Sequence, residues 1–136
     1  MTTVLLVDDD NIVLLAMGVR LQSIGYKVCA ATDAATAIST ARKNNPDVIV
    51  LDISLPAGKG FWVSERLKSI SGSASTPLIF ITASDDVALR ERAMKLGAKA
   101  FLKKPFDVTT LANAVEAALS PGDNWPERED SRIDLS

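Results

Sequence analysis

Five short apolar runs punctuate the chain, at Val4–Val7, Val28–Ala31, Val48–Leu51, Leu78–Ile81 and Ala100–Leu102. The runs beginning at 4, 48 and 78 are unbroken and rich in Val, Ile and Leu, as in central parallel strands covered on both faces. The run at 28 holds more alanine, which suits a sheet edge. Between the runs, apolar positions recur every three or four residues. Val13, Met17, Leu21 and Ile24 form one stripe, and Ala34, Ile38 and Ala41 a second. Val63, Leu67 and Ile70, then Leu89, Ala93 and Leu96, and finally Leu111, Val115 and Ala118 complete the set. That is the period of amphipathic helices. Stops fall at Gly25, at Asn45 before Pro46, at Gly72 and at Gly97; Asp33, Ser84 or Asp85, and Asp107 are N-cap candidates. Strands alternating with helices predict an α/β fold, a doubly wound five-stranded parallel sheet with helices on both faces.

A parallel sheet gathers the carboxyl ends of its strands on one edge, where open α/β sheets bind their ligands. Here those ends carry Asp8-Asp9-Asp10 after the first run, Asp52 after the third, Thr82 after the fourth and Lys103-Lys104-Pro105 after the fifth. Taken singly, Asp9 or Asp10 reads as a helix cap, Thr82 as a turn residue and Lys104 as a solvated charge. Together they suggest a site. Neighbouring carboxylates repel, and a divalent cation resolves the conflict. Oxygen ligands without His or Cys favour Mg²⁺, Mn²⁺ or Ca²⁺, and few carboxylates beside a lysine suit Mg²⁺. An aspartate can carry an acyl phosphate, while a lysine and a threonine hydroxyl bind phosphoryl oxygens.

Composition narrows the setting. The chain has 136 residues, enough for one domain with a real core, with 47% hydrophobic and 24% charged residues. This excludes a disordered chain or a disulfide scaffold. There is no histidine, so His-based catalysis and His-ligated zinc are excluded; a net charge of −2 gives no general attraction for nucleic acid. No apolar run approaches the roughly 18–20 residues that cross a bilayer. No leader segment is expected, and the lone Cys29 suits a reducing, cytoplasmic setting as a buried strand residue. Residues 120–136 hold five acids against two arginines, while 1–119 carry a net +1. The domain is therefore expected over 1–119, with 120–136 as an acidic, flexible tail or linker that Trp125 joins only loosely to the domain.

The chain resembles the receiver domains of bacterial two-component response regulators. The similarity rests on Val4-Leu5-Leu6-Val7-Asp8-Asp9-Asp10 and on Pro46-Asp47 leading to Asp52-Ile53-Ser54-Leu55-Pro56. It continues through Pro77–Ala83 and Gly97–Phe106, in order, across about residues 3–119. The resemblance implies a flavodoxin-like strand order 2-1-3-4-5. It makes Asp52 the phosphoacceptor for a histidine kinase or histidine phosphotransfer protein. It gives Asp8, Asp9, Asp52 and the backbone carbonyl of Ser54 to Mg²⁺, with Mn²⁺ as a substitute. Thr82 and Lys104 would bind the phosphoryl group, Lys104 being followed by a cis peptide bond to Pro105. Thr82 and Phe101 would form the switch, acting on the face of the fourth helix, fifth strand and fifth helix, near Val87–Lys95, Lys99–Lys104 and Asp107–Ala118.

Other features are particular to this chain. Ser54 and Ser84 stand two residues after Asp52 and Thr82, where the family's hydrolytic water approaches, and leave that path open. Lys59 replaces a common acid and reads as solvated, or as added positive charge near the site. Trp62 reads as a partly exposed residue beside the site. Ile12, Leu15 and Val19 form a second stripe on the first helix, either packed against the fifth helix or presented to a partner or a second copy. Two rival readings are a receiver-like binding module that is never phosphorylated, and a Mg²⁺-dependent phosphatase of the haloacid-dehalogenase type. The phosphatase reading needs a further acidic pair after the lysine and leaves Asp52 without a role; a flavin-binding fold would set its phosphate against three aspartates. No basic recognition helix follows residue 119, so no direct nucleic-acid contact is expected; output would pass to a downstream protein or a further domain.

Overall fold

The structure, a computed structural model, describes residues 1–55, 59–70 and 75–120. Strands and helices alternate: β1 (Thr3–Val7), α1 (Asn11–Ser23), β2 (Lys27–Ala31), α2 (Ala34–Asn44), β3 (Val48–Asp52), α3 (Lys59–Lys68), β4 (Leu78–Thr82), α4 (Val87–Lys95), β5 (Ala100–Lys103) and α5 (Val108–Leu119). The strands form one parallel sheet in the order β2-β1-β3-β4-β5. Every residue of β1, β3 and β4 is buried, whereas β2 and β5 are partly exposed edges. The contrast between unbroken and alanine-rich runs has this cause: central strands meet helices on both faces.

Alternate strand residues serve two cores. Leu5, Val7, Ile49, Leu51 and Phe80 face α2, α3 and α4, where Phe61 meets Phe80 edge-on at 5.4 Å. Val4, Leu6, Val50, Ile79 and Ile81 face α1 and α5. The sheet reaches one residue beyond the apolar runs at its functional ends. Asp52 pairs with Ile81, and Thr82 with Lys103, so both polar residues belong to the ladder rather than to loops.

Three departures from the sequence pattern have local causes. In α1 the buried residues are Leu14, Met17, Gly18 and Leu21; Val13 is half-buried and Ile24 exposed. The buried face is turned so that Leu14, Met17 and Leu21 enter the core shared with α5, with Gly18 set toward Leu6 and Val28. In α4 the cap is Asp86, which accepts from Ala88 N–H at 2.9 Å, rather than Ser84 or Asp85. Ser84 instead accepts from Asp86 N–H at 3.1 Å, and Asp85 pairs with Lys103 at 3.2 Å. Cys29 is half-buried rather than buried, because β2 is an edge; its partial burial still raises the thiol pKa.

Asp10, Asp33 and Asp107 cap α1, α2 and α5. Asn45, Gly25 and Gly97 take positive φ at helix ends, while the expected stop at Gly72 lies outside the described residues, as do 121–136 and Trp125. The Ile12/Leu15/Val19 stripe does not pack on α5. Those side chains are 80%, 68% and 58% exposed, since α1 meets α5 through Leu14, Met17 and Leu21.

Gly60 sets the distance between α3 and the turn after Asp52. A Cβ there would run into the backbone of Ile53. Alanine should gain about 1 kcal/mol in helix propensity but lose more to overpacking, about 1–3 kcal/mol. Gly60→Ala is therefore expected to lower the thermal unfolding midpoint; a higher midpoint in a differential scanning measurement would show that the turn yields freely.

Candidate functional site

Because β1 and β3 are neighbours with Val7 opposite Leu51, Asp8 and Asp52 leave the sheet side by side. Each is buried, 0% and 2% exposed, and Asp9 beside them is exposed. Oxygens of the three lie within 4.8 Å of one another, among the described residues the one cluster of acids so arranged. Lys104 enters from the far side. Its backbone N–H donates to the carbonyl of Thr82 at 2.7 Å, anchoring it beside β4, and its peptide bond to Pro105 is cis. Its ammonium then lies 2.7 Å from Asp8 Oδ2 and 3.1 Å from Asp52 Oδ2. Lys103 points away, to Asp85.

A shared local device orients the strand-end side chains. Asp8 Oδ1 accepts from Asp10 N–H at 2.9 Å, Asp52 Oδ1 from Ser54 N–H at 2.7 Å, and Thr82 Oγ1 from Ser84 N–H at 3.0 Å. In each case the backbone two residues on donates to the side chain, a geometry natural to Asp, Ser and Thr in turns. Thr82 is wholly buried, and its hydroxyl also meets Ser54 Oγ at 3.0 Å. The sequence flags both serines as small polar residues on the water path, Ser54 also for its carbonyl and Ser84 as a cap candidate, but not for this hydroxyl contact. That contact joins residues 28 apart in sequence and carries no local signal.

Electrostatics follow from burial. Desolvation raises the pKa of Asp8, and the Asp52 charge adds to the rise; together they outweigh the lowering by Lys104 and by the Asp10 N–H. For Lys104, desolvation pulls the pKa down, but the facing Asp8 and Asp52 carboxylates reverse this and leave it raised. Three carboxylates against one ammonium give the cluster a formal charge of −2. Asp8 Oδ2 is buried and faces the Lys104 ammonium at 2.7 Å. A hard, all-oxygen, doubly negative cluster fits Mg²⁺.

Phe101 is half-buried on β5, opposite Phe80 and against the α2–α4 core. Trp62 is 43% exposed, with the Lys59 ammonium 4.9 Å and the Arg66 guanidinium 5.8 Å from its ring. Asp107, one of the few acids after Lys104, accepts from Thr109 N–H at 2.7 Å as a helix cap. It is occupied in the way that weakens the phosphatase reading.

This arrangement can be set beside known proteins. A model of the response regulator receiver domain matches residues 4–116. The chain belongs to this family. It is a domain of signalling proteins rather than a turnover enzyme, and receiver domains bind Mg²⁺ at an acidic pocket such as this one. It is 32% identical over 127 residues to the DNA-binding dual master transcriptional regulator RpaA of Synechocystis, covering 93% of this chain and 53% of that protein. It is 28% identical to protein PilH of Pseudomonas aeruginosa, covering 88% and 99%. It thus spans about half the length of RpaA and similar transcriptional regulators but nearly all of PilH. Among solved structures, the chemotaxis protein CheY4 of Vibrio cholerae matches with a TM-score of 0.82 at 30% identity, over 88% of this chain and 99% of that one. The non-phosphorylated HemR receiver domain of Leptospira biflexa matches with 0.80 at 30%, over 94% and 100%. The strand order read from the resemblance is the order observed.

The raised Asp8 pKa means that its carboxylate is less favourable in the fold than in the unfolded chain, where the ordinary value is 3.8. That cost is present above the raised pKa and disappears as the pH falls through it. In metal-free buffer at neutral pH, Asp8→Asn should therefore raise the melting midpoint, with the gain narrowing in acid. Added Mg²⁺ should stabilise the wild type more than the variant. Thermal melts with Mg²⁺ or with chelator, across pH, check both.

Proposed function

We propose that Asp52 is the phosphoacceptor of this receiver, and that Asp8, Asp9, Thr82 and Lys104 serve its phosphorylation. The observation that supports this best is the Lys104 ammonium held between Asp52 and Asp8 at the carboxyl edge of the sheet. An Asp52 oxygen attacks the phosphorus of a phosphohistidine; the N–P bond breaks, an acyl phosphate forms, and the imidazole leaves with a proton from solvent. Asp8, Asp9, Asp52 and the Ser54 carbonyl would hold Mg²⁺, or Mn²⁺ in its place, which when bound offsets charge on the phosphoryl oxygens. Lys104 balances the charge its two carboxylates leave uncompensated and follows the phosphoryl group as it arrives. Thr82 donates its hydroxyl proton to a phosphoryl oxygen.

Phosphorylation adds nearly two negative charges where one carboxylate stood. Drawing Thr82 toward the phosphoryl group vacates space for Phe101, whose half-buried ring can turn inward. The surface of α4, β5 and α5 then changes and controls a downstream protein or an attached domain. The donor is a histidine kinase or phosphotransfer protein, in a cytoplasmic setting. Among the described residues no helix is long and apolar enough to cross a membrane. The exposed Ile12, Leu15 and Val19, which border an apolar groove reaching Val108, suit a donor's apolar helix or a second copy of this chain. We assign residues 1–119 to the domain and 120–136 to a tail or linker.

Intact mass after incubation with acetyl phosphate tests the assignment. One Mg²⁺-dependent, base-labile phosphoryl adduct is expected on the wild type and none on Asp52→Asn. An adduct that survives in the variant places the acceptor elsewhere; no adduct from either acetyl phosphate or a protein donor would favour an unphosphorylated binding module. The double variant Ile12→Asp, Leu15→Asp should lose about tenfold or more in transfer from a cognate protein donor, while labelling by acetyl phosphate stays near the wild-type rate. Equal loss with both donors would make the α1 face structural.

A further inference from the structure

We infer that the Ser54 hydroxyl is a positioning residue that holds Thr82 in its resting orientation and so sets how readily the receiver switches. This rests on the phosphoacceptor reading of Asp52 and goes beyond it. Ser54 touches both the proposed acceptor and the switch threonine. Its N–H donates to Asp52 Oδ1 at 2.7 Å, and its Oγ lies 3.0 Å from Thr82 Oγ1. A phosphoryl group on Asp52 therefore arrives beside the hydroxyl that already engages Thr82.

Where Thr82 is the donor of the pair, the proton inventory makes this a competition, since its one proton is the one a phosphoryl oxygen needs. A threonine hydroxyl has one proton to give and two lone pairs. Thr82 Oγ1 already accepts from Ser84 N–H at 3.0 Å. With the side chain wholly buried, no solvent competes for the rest of its bonding capacity. In the resting protein the Ser54 oxygen shares that capacity, whichever of the two hydroxyls donates. When Thr82 moves to bond a phosphoryl oxygen, the 3.0 Å contact with Ser54 is stretched, because the N–H bond to Asp52 Oδ1 holds the Ser54 backbone in place. The switch must replace this bond before it gains from the new one. Alanine at 54 removes the hydroxyl and leaves the N–H on Asp52 intact. Since Ser54 is exposed as a residue, the fold does not depend on its side chain.

The test uses the full chain and beryllofluoride with Mg²⁺, a stable mimic of the acyl phosphate, followed through the amide resonances of Thr82 and Phe101. Losing one net hydrogen bond from the resting state should tighten beryllofluoride binding by Ser54→Ala about three- to tenfold. Ser54→Thr, which keeps a hydroxyl, should bind like the wild type. In a Thr82→Ala background the Ser54→Ala gain should vanish, since there is nothing left to hold. Unchanged or weaker binding by Ser54→Ala, or the same gain without Thr82, would overturn the inference while leaving Asp52 as acceptor. A wild type that takes up neither beryllofluoride nor phosphoryl would overturn both.

Discussion

Two carboxylates share a buried sheet edge only because one ammonium stands between them. Lys104 contacts Asp8 at 2.7 Å and Asp52 at 3.1 Å, and its raised pKa reflects how completely the pair commits it to the charged state. Burial already raises the Asp8 pKa, and without the ammonium that rise would be larger. The fold is arranged to bring this lysine in. The sheet order places β1 against β3, and the backbone hydrogen bond from Lys104 to Thr82 brings the lysine across from β5. An ammonium can be drawn toward a phosphoryl group without being lost, so the same charge that stabilises the resting site can serve the occupied one.

Much of this was legible in the chain. Unbroken runs in Val4–Val7, Val48–Leu51 and Leu78–Ile81 identified the central strands because burial on both faces leaves no room for polar alternation. Asp8, Asp9, Asp52, Thr82 and Lys104 stood out because a parallel sheet can only gather strand ends on one edge. Periodicity stopped at the order of the strands, since every order of the five gives the same pattern; the family resemblance supplied that.

What the chain concealed was rotation and reach. The buried face of α1 depends on how the helix lies on the sheet and against α5, a tertiary fit that spacing does not encode. The cap of α4 moved to Asp86 because Ser84 was already engaged as the acceptor for its N–H. Polar residues in a loop compete for the same few backbone donors, and which one wins depends on how the preceding strand ends. The hydroxyl pair of Ser54 and Thr82 joins residues 28 apart in sequence, so no local pattern announces it.

The half-buried strand β5 carries both Phe101 and, just past its end, Lys104, and it pairs with β4 alone. A four-residue edge strand has one ladder to hold it, and such elements open at lower free energy than the centre of a sheet. Amide exchange should accordingly be graded across the sheet, slowest in β1 and β3 and faster in β5. The parts proposed to sense and relay the phosphoryl charge thus belong to an edge of the sheet. There, a perturbation of modest energy can shift a population without disturbing the carboxylates at its centre.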